Sequence, residues 1–293
     1  MKAAEFDYVK AKSLDEICLF LSQQAGEARI IAGGQTLVPL MAMRMARPNT
    51  LIDINDVEEL KGIEITKKSV IIKACTRQSE VLESVDVRRS LPILSDALSH
   101  VGHTQTRNRG TVGGSLVNAD PSAEISLIAR LLDAEMTVHS VRGERVIKAA
   151  NFFSSAMITN LDADECLTQV CFPIWSSVRT GFGFHETSIR ASDYALASAA
   201  AQLSLDSSGQ CRSISIVIGG ATEIPTRISE TEEQLMGSDL SDTEIKTAME
   251  KIPEMLEPQA DVHADADYRR RVACVLVGRA LKDARERAKG SLV

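Results

Sequence analysis

The sequence predicts a chain of two units, each mixing helices with strands, and three observations carry that prediction. Residues 6–53 alternate strand, helix and strand. Residues 62–173 place strand pairs around helical stretches. Around Trp175–Gly181 the pattern breaks at Ser176-Ser177, and beyond it come a hairpin and a long Arg- and Ala-rich helix. A chain of 293 residues is long enough to give two units buried cores.

FDYVK over 6–10 reads as the first strand. Ser13 followed by Glu16 is a capping box and opens a helix that ends near Gly26. The apolar run over 28–32 reads as a buried strand, broken by Gly33-Gly34. Pro39 places the start of LVPLMAMRM outside a helix middle. TLIDI is a strand and Asn55-Asp56 a turn. Residues 62–65 and 69–75 form a hairpin around Lys67-Lys68. Helices are expected over Ser79–Val85, over Leu91–Val101 with Pro92 in the first turn, and over 125–133, whose apolar residues recur at helical spacing. Strands follow at 135–140 and 145–148, a loop at Asn151-Phe152-Phe153, and a closing strand at 164–173. Later, 198–205 and 211–218 flank the turn Asp206–Gly209. Ser229 with Glu232 and Ser241 with Glu244 mark helix starts, and a last helix spans about 267–289. The run Arg269-Arg270-Arg271 reads as its solvated face.

Composition excludes several functions. The net charge is −7, which gives no basic footprint for nucleic acid, and 4% aromatic content argues against base stacking. Six cysteines occur without a C-x-x-C pair, and the spacing of Cys166 and Cys171 suits neither zinc nor a cluster. They read as free, mostly buried thiols in a reducing cytosol. The N-terminal stretch has no signal-peptide core, and no stretch reaches the apolar length that spans a membrane, so a cytoplasmic location is expected. The five histidines (100, 103, 139, 185 and 263) are scattered, and neither H-E-x-x-H nor G-x-S-x-G is present.

Two glycine-rich stretches stand out: IIAGGQTLVP over 30–39 and RNRGTVGGSLVNADPSAE over 107–124. Two such turns suit one elongated ligand with a pyrophosphate, gripped from two sides. An acidic protein has to hold such a group by local dipoles: backbone N–H groups in tight turns and at a helix N-terminus. Glycine lets the backbone approach the phosphates without a Cβ in the way. Gln35, Thr36, Thr111 and Ser115 add neutral donors, and Asp120 or Glu124 can accept from a ribose hydroxyl. Each Gly-Gly pair also has a purely conformational reading, as a tight turn or close packing. Neither stretch matches G-x-G-x-x-G or a Walker loop.

AGGQTLVPLM and RNRGTVGGSLVNADPSAE resemble the two flavin signatures of the FAD-binding medium subunit of the molybdenum hydroxylases, the xanthine dehydrogenase and carbon monoxide dehydrogenase family. SDYALASAAAQLSL, SIVIGGATEIPTR and DVHADADYRRRVACVLVGRAL resemble later landmarks of that family, so nearly the whole chain is covered. The resemblance implies an α+β fold. Residues 1–176 would be an FAD domain of the vanillyl-alcohol-oxidase type, with lobes over about 1–57 and 58–176. Residues 177–293 would be a C-terminal domain with a small antiparallel sheet and helices. It implies one pyrophosphate loop from Ala32, Gly33, Gly34, Gln35 and Thr36, and another from Thr111, Val112, Gly113, Gly114 and Ser115. Ile31, Leu37, Val101, Asn118 and Asp120 border these segments and belong to the implied site. Glu124 stands where relatives carry an acidic flavin contact and Leu167 where an apolar residue lies by the isoalloxazine. His185 stands where some relatives carry a lysine near the cofactor, a departure from the family pattern.

The function implied is electron transfer. A large partner subunit would carry the molybdenum cofactor and hydroxylate the substrate. A small one would pass electrons through two [2Fe–2S] clusters to the FAD of this chain, and from there to NAD, a quinone, a cytochrome or oxygen. The assembly implied is a dimer of heterotrimers. The absence of a cysteine-rich insertion argues against the branch that reduces aromatic thioesters. Two rival readings stand beside it: a stand-alone flavin oxidase of the vanillyl-alcohol-oxidase type, and a non-enzymatic nucleotide-binding or assembly protein.

Overall fold

The computed structural model describes residues 2–24, 26–175, 177 and 179–290. The first lobe is β1 (Asp7–Lys10), α1 (Leu14–Gln23), β2 (Ala28–Ile31), α2 (Leu37–Ala42) and β3 (Thr50–Asp53). Its three strands run parallel in the order β1-β3-β2. Ser13 caps α1 by accepting from Glu16 N–H at 3.2 Å. The return bond of the expected capping box goes one residue further, from Lys12 N–H to Glu16 at 2.7 Å. β2 is an edge strand and is not fully buried: Arg29 is exposed and Ile30 and Ile31 are half-buried, because one side of the strand borders an open cavity.

A 3-10 turn (Glu58–Leu60) leads to β4 (Ile63–Ile65) and β5 (Ser69–Lys73). Then come α3 (Gln78–Glu83), α4 (Val85–Ser90), α5 (Pro92–His100), α6 (Thr104–Arg109), α7 (Val112–Asn118) and α8 (Glu124–Leu131). The lobe closes with β6 (Glu135–Ser140), β7 (Gly143–Lys148), α9 (Ala149–Phe152), β8 (Phe153–Ser155), β9 (Ile158–Thr159) and β10 (Cys166–Pro173). The five-stranded sheet has the order β4-β5-β10-β6-β7, all antiparallel. Two expectations are corrected here. Ser84 takes an extended backbone and caps α4 by accepting from Val87 N–H at 3.2 Å, so the helix expected up to Val85 stops at Glu83 and a new one starts at Val85. Residues 151–153 are not a loop, because burial of Phe152 and Phe153 pulls them into α9 and β8.

The remainder is β11 (Thr180–Thr187), β12 (Ala197–Leu205), β13 (Cys211–Gly219), β14 (Thr226–Arg227), α10 (Ser229–Leu235), α11 (Asp242–Ala248), α12 (Ile252–Met255) and α13 (Ala266–Lys289). The expected break includes Ser176, which lies outside the described residues. The sheet order is β11-β12-β13-β14. β11 carries no strand-like apolar run, because Gly181 and Gly183 occupy the face that meets α13. A Cβ on Gly183 would lie 2.8 Å from Ala280 Cα, and one on Gly181 2.5 Å from Ala288 N. The helix backbone rests on the strand, which is why α13 presents Ala273, Ala280, Ala284 and Ala288 there.

Arg269 corrects the reading of its run as solvated. It is 7% exposed and donates to the carbonyls of Leu196 (2.6 Å) and Gly220 (3.2 Å) and to Asp261 (2.7 Å). Ser241 and Glu244 form the expected capping box. Ser229 does not cap α10; Glu232 is drawn instead to Ile216 N–H and Arg227. The largest apolar core joins α5, α8 and the five-stranded sheet, and Phe184, Ala200 and Val217 of the C-terminal sheet belong to it.

Candidate functional site

A cavity of about 890 Å³ lies between the first lobe and α7, and β9, β10 and the loop before β12 complete its walls. Its lining includes Ile31, Ala32, Gly33, Gly34, Gln35, Thr36 and Leu37 from the first glycine stretch. Thr111, Gly113, Gly114, Ser115, Asn118, Asp120 and Glu124 line it from the second, with Val101 and Leu167. The fold therefore brings the two stretches, almost eighty residues apart, onto one ligand-sized space.

Two residues of the expected set do not line it. Val112 is fully buried, with its N–H bonded to Thr76 O at 3.1 Å. His185 faces α13 and lies 2.9 Å from Asp283 Oδ2. Successive residues of a strand point to opposite sides, so it is the neighbouring Glu186 that is turned toward the cavity side.

Gly33 has no room for a Cβ, which would meet Arg109 O and lie 2.9 Å from Gly110 Cα. The glycine there lets two backbones touch. Gly34 has φ +70°, in the left-handed region. A polar net holds the contact: Asn55 Nδ2 donates to Ala32 O (2.8 Å), Arg77 Nη2 donates to Asn55 Oδ1 (2.6 Å), and Arg77 Nη1 donates to Arg109 O.

The two stretches differ in their free donors. Among the described residues, the N–H groups of Gly33, Gly34, Gln35, Thr36 and Leu37 have no acceptor in the protein. In the second stretch Gly113 N–H bonds Ala74 O (2.9 Å), Gly114 N–H bonds Thr111 Oγ1 (3.0 Å) and Ser115 N–H bonds Thr111 O (3.1 Å). Gly113 and Gly114 are therefore the first turn of α7, capped by Thr111, and not a free loop. A Cβ on Gly113 would lie 2.6 Å from Ala74 Cβ, so this glycine serves close packing.

The cavity wall is acidic. Arg29 is the one basic side chain in the lining, against Asp120, Glu124, Asp162, Glu165 and Asp193. Burial raises the proton affinity of Asp120. Burial, then repulsion from Glu186, pushes the Glu124 carboxyl up to about 8. Glu165 is held below the usual carboxylate range; burial acts against this, and the Arg145 fork at 2.5 and 2.6 Å and the Asp162 N–H outweigh it. The unpaired N–H groups from Gly33 to Leu37 can donate to a phosphate group. Sequence reasoning missed Gln78, the Met157–Cys166 segment and Tyr194, all in the lining. Tyr194 belongs to the landmark stretch SDYALASAAAQLSL, which marked no site residue; the others sit in no motif, and chain folding alone places them there.

A family model described as the FAD binding domain in molybdopterin dehydrogenase matches residues 4–175. One described as the CO dehydrogenase flavoprotein C-terminal domain matches residues 182–284. The chain is 38% identical to the 6-hydroxypseudooxynicotine dehydrogenase complex subunit alpha of Paenarthrobacter nicotinovorans, over 99% of this chain and 97% of that protein. It superposes on quinoline 2-oxidoreductase from Pseudomonas putida 86 with TM-score 0.92 and 34% identity, covering 100% of both chains. On carbon monoxide dehydrogenase from Hydrogenophaga pseudoflava the TM-score is 0.94 with 30% identity, covering 98% of this chain and 99% of that one. The fold class expected from sequence holds, and the chain belongs to the FAD-binding medium subunits of the molybdenum hydroxylase family of oxidoreductases.

Proposed function

We propose that this chain is the electron-transfer subunit of a three-component hydroxylase and holds FAD in the cavity described above. The observation that carries the reading is the row of five unpaired backbone N–H groups on residues that line the cavity. That row, from Gly33 to Leu37, holds the pyrophosphate. The Thr111 and Ser115 hydroxyls approach it from the capped start of α7. Ile31, Val101, Asn118 and Leu167 supply the flanking contacts, and Asp120 accepts from a sugar hydroxyl. Val112 acts through the core, and His185 through α13.

Bound FAD supplies the exchange between one-electron and two-electron carriers. In this reading a small subunit with two [2Fe–2S] clusters delivers the electrons, and NAD, a quinone, a cytochrome or oxygen removes them. A large subunit with the molybdenum cofactor performs the hydroxylation, and two such trimers pair. The substrate is selected outside this chain, because quinoline and carbon monoxide enzymes share its medium-subunit fold at TM-scores of 0.92 and 0.94. The work divides between residues 1–176, with lobes 1–57 and 58–176, which hold the cofactor, and residues 177–293, which close its wall. The family-model limits at 175 and 182 support this division.

The test is a visible spectrum of the tagged chain drawn from its native host, with the accompanying chains identified. Flavin bands overlaid by iron–sulfur absorption, with one large and one small partner, are expected. Flavin in a lone chain favours a stand-alone oxidase, and a colourless lone chain overturns the reading.

A further inference from the structure

Three ionisable groups lie on elements that pack together where the C-terminal sheet meets the rest of the molecule, α5 packing on both α8 and β11. His100 ends α5, Glu124 begins α8, and Glu186 lies near the end of β11. His100 Nδ1 is 3.2 Å from Glu186 Oε1, and the imidazole packs on Phe184 with ring centroids 5.1 Å apart. The Glu186 side chain is 4% exposed, and its Oε2 is fully enclosed with no hydrogen-bond partner among the described residues. Glu124 is 8% exposed and faces the cavity. Among the described residues no Lys or Arg pairs with either carboxyl. The other charged groups close to the trio are Asp96 on α5 and Asp120 before α8, both acids. Lys and Arg are thus missing from a buried site that holds two carboxyl groups and one half-exposed imidazole.

Burying two carboxylates against a single imidazolium leaves one negative charge without a paired cation, which costs several kcal/mol. A proton removes that cost. It belongs on Glu124, because Glu186 already receives the His100 hydrogen bond and Glu124 has no cation. We propose that Glu124 is a neutral carboxylic acid that donates a hydrogen bond into the cavity, kept neutral by the Glu186 carboxylate behind it, which His100 anchors. Glu186 and His100 are positioning residues, and they also tie the C-terminal sheet to the cavity wall. Glu124 then recognises an acceptor on the ligand, such as a ring carbonyl oxygen, rather than a sugar hydroxyl. That choice of ligand atom rests on the function proposed above; the protonation of Glu124 does not. The direction of the Glu124 shift, upward by burial and then by Glu186, agrees with the proposal, as does the upward shift of His100 from its bond to Glu186.

The experiment is an infrared pH titration of the full chain as purified, from about pH 6 to about pH 9, following the carbonyl stretch of protonated carboxylic acid. Wild type should show such a band at neutral pH and lose it near pH 8; Glu124→Gln should lack it at every pH. Glu186→Gln removes the repelling charge and should move the loss about one pH unit or more lower. A wild-type spectrum with no band that Glu124→Gln removes, or an unmoved midpoint in Glu186→Gln, overturns the proposal. If Glu124→Gln does not fold, Glu124→Asp replaces it and should shift the midpoint, whereas an unmoved midpoint overturns the assignment. The flavin-to-protein ratio of the same samples separates the two readings. Flavin present without the band sinks this inference alone, and the band without flavin sinks the functional reading alone.

Discussion

At the residue scale, the buried carboxyl of Glu124 makes the stability of the fold depend on pH. Its carboxyl holds a proton up to about 8 in the folded chain, against 4.5 when exposed. Between those values the folded state binds a proton that the unfolded state has released, so stability falls as pH rises through that window and is level on either side. The full span corresponds to a ceiling of roughly 4–5 kcal/mol. The urea midpoint of the purified chain should therefore drop between about pH 5 and about pH 8, and Glu124→Gln should flatten that slope. A wild-type midpoint level across the window would contradict it. A protonated Glu124 would also line the proposed pyrophosphate site without repelling the ligand.

At the element scale, the two glycine stretches resemble each other in sequence and differ in structure. The first is an open turn with free donors, and the second is the capped first turn of α7. A side chain at Gly114 would place its Cβ 2.7 Å from Thr111 Oγ1, the atom that caps the helix, and would enter the cavity. Gly114→Val should lower the flavin-to-protein ratio at least about tenfold, a loss of ~1.4 kcal/mol or more in binding. Circular dichroism should stay unchanged, since the position faces the cavity rather than the core. Normal flavin content in the folded variant would remove α7 from the site.

At the scale of the whole molecule, the halves are joined by polar ties as well as apolar core. Arg227, beside β13, donates to Asp133 after α8 (2.9 Å) and makes a two-bond fork with Glu232 (2.7 and 2.7 Å). Ser215 Oγ donates to Leu131 O (2.5 Å), and Gly220 N–H donates to Pro121 O (2.8 Å). Arg227→Ala leaves the mostly buried Glu232 without its cation, held only by the Ile216 N–H, and should cost about 3 kcal/mol. Urea unfolding followed by both flavin absorbance and circular dichroism checks this. The two signals should shift together, because Ser122, whose segment borders the cavity, is part of the same junction as Gly220. A shift of one signal alone would show that the halves unfold separately.

Local chemistry was sufficient for the first lobe, the hairpins, the capping box at Ser241 and the last helix, because each depends on neighbours in sequence. The two glycine stretches could also be read there, since backbone approach leaves only glycine as a choice. Residues that matter through distant partners were hidden. β11 carries no strand signal because Gly181 and Gly183 answer to α13, and Arg269 resembles a surface charge until Leu196 and Gly220 are brought to it. The family resemblance implied His185 near the cofactor, whereas strand alternation turns it to Asp283 and sends Glu186 to the opposite side of β11, against His100. Which N–H groups remain free, and which acid keeps its proton, depend on what long-range packing has removed from water, and only the tertiary structure decides that.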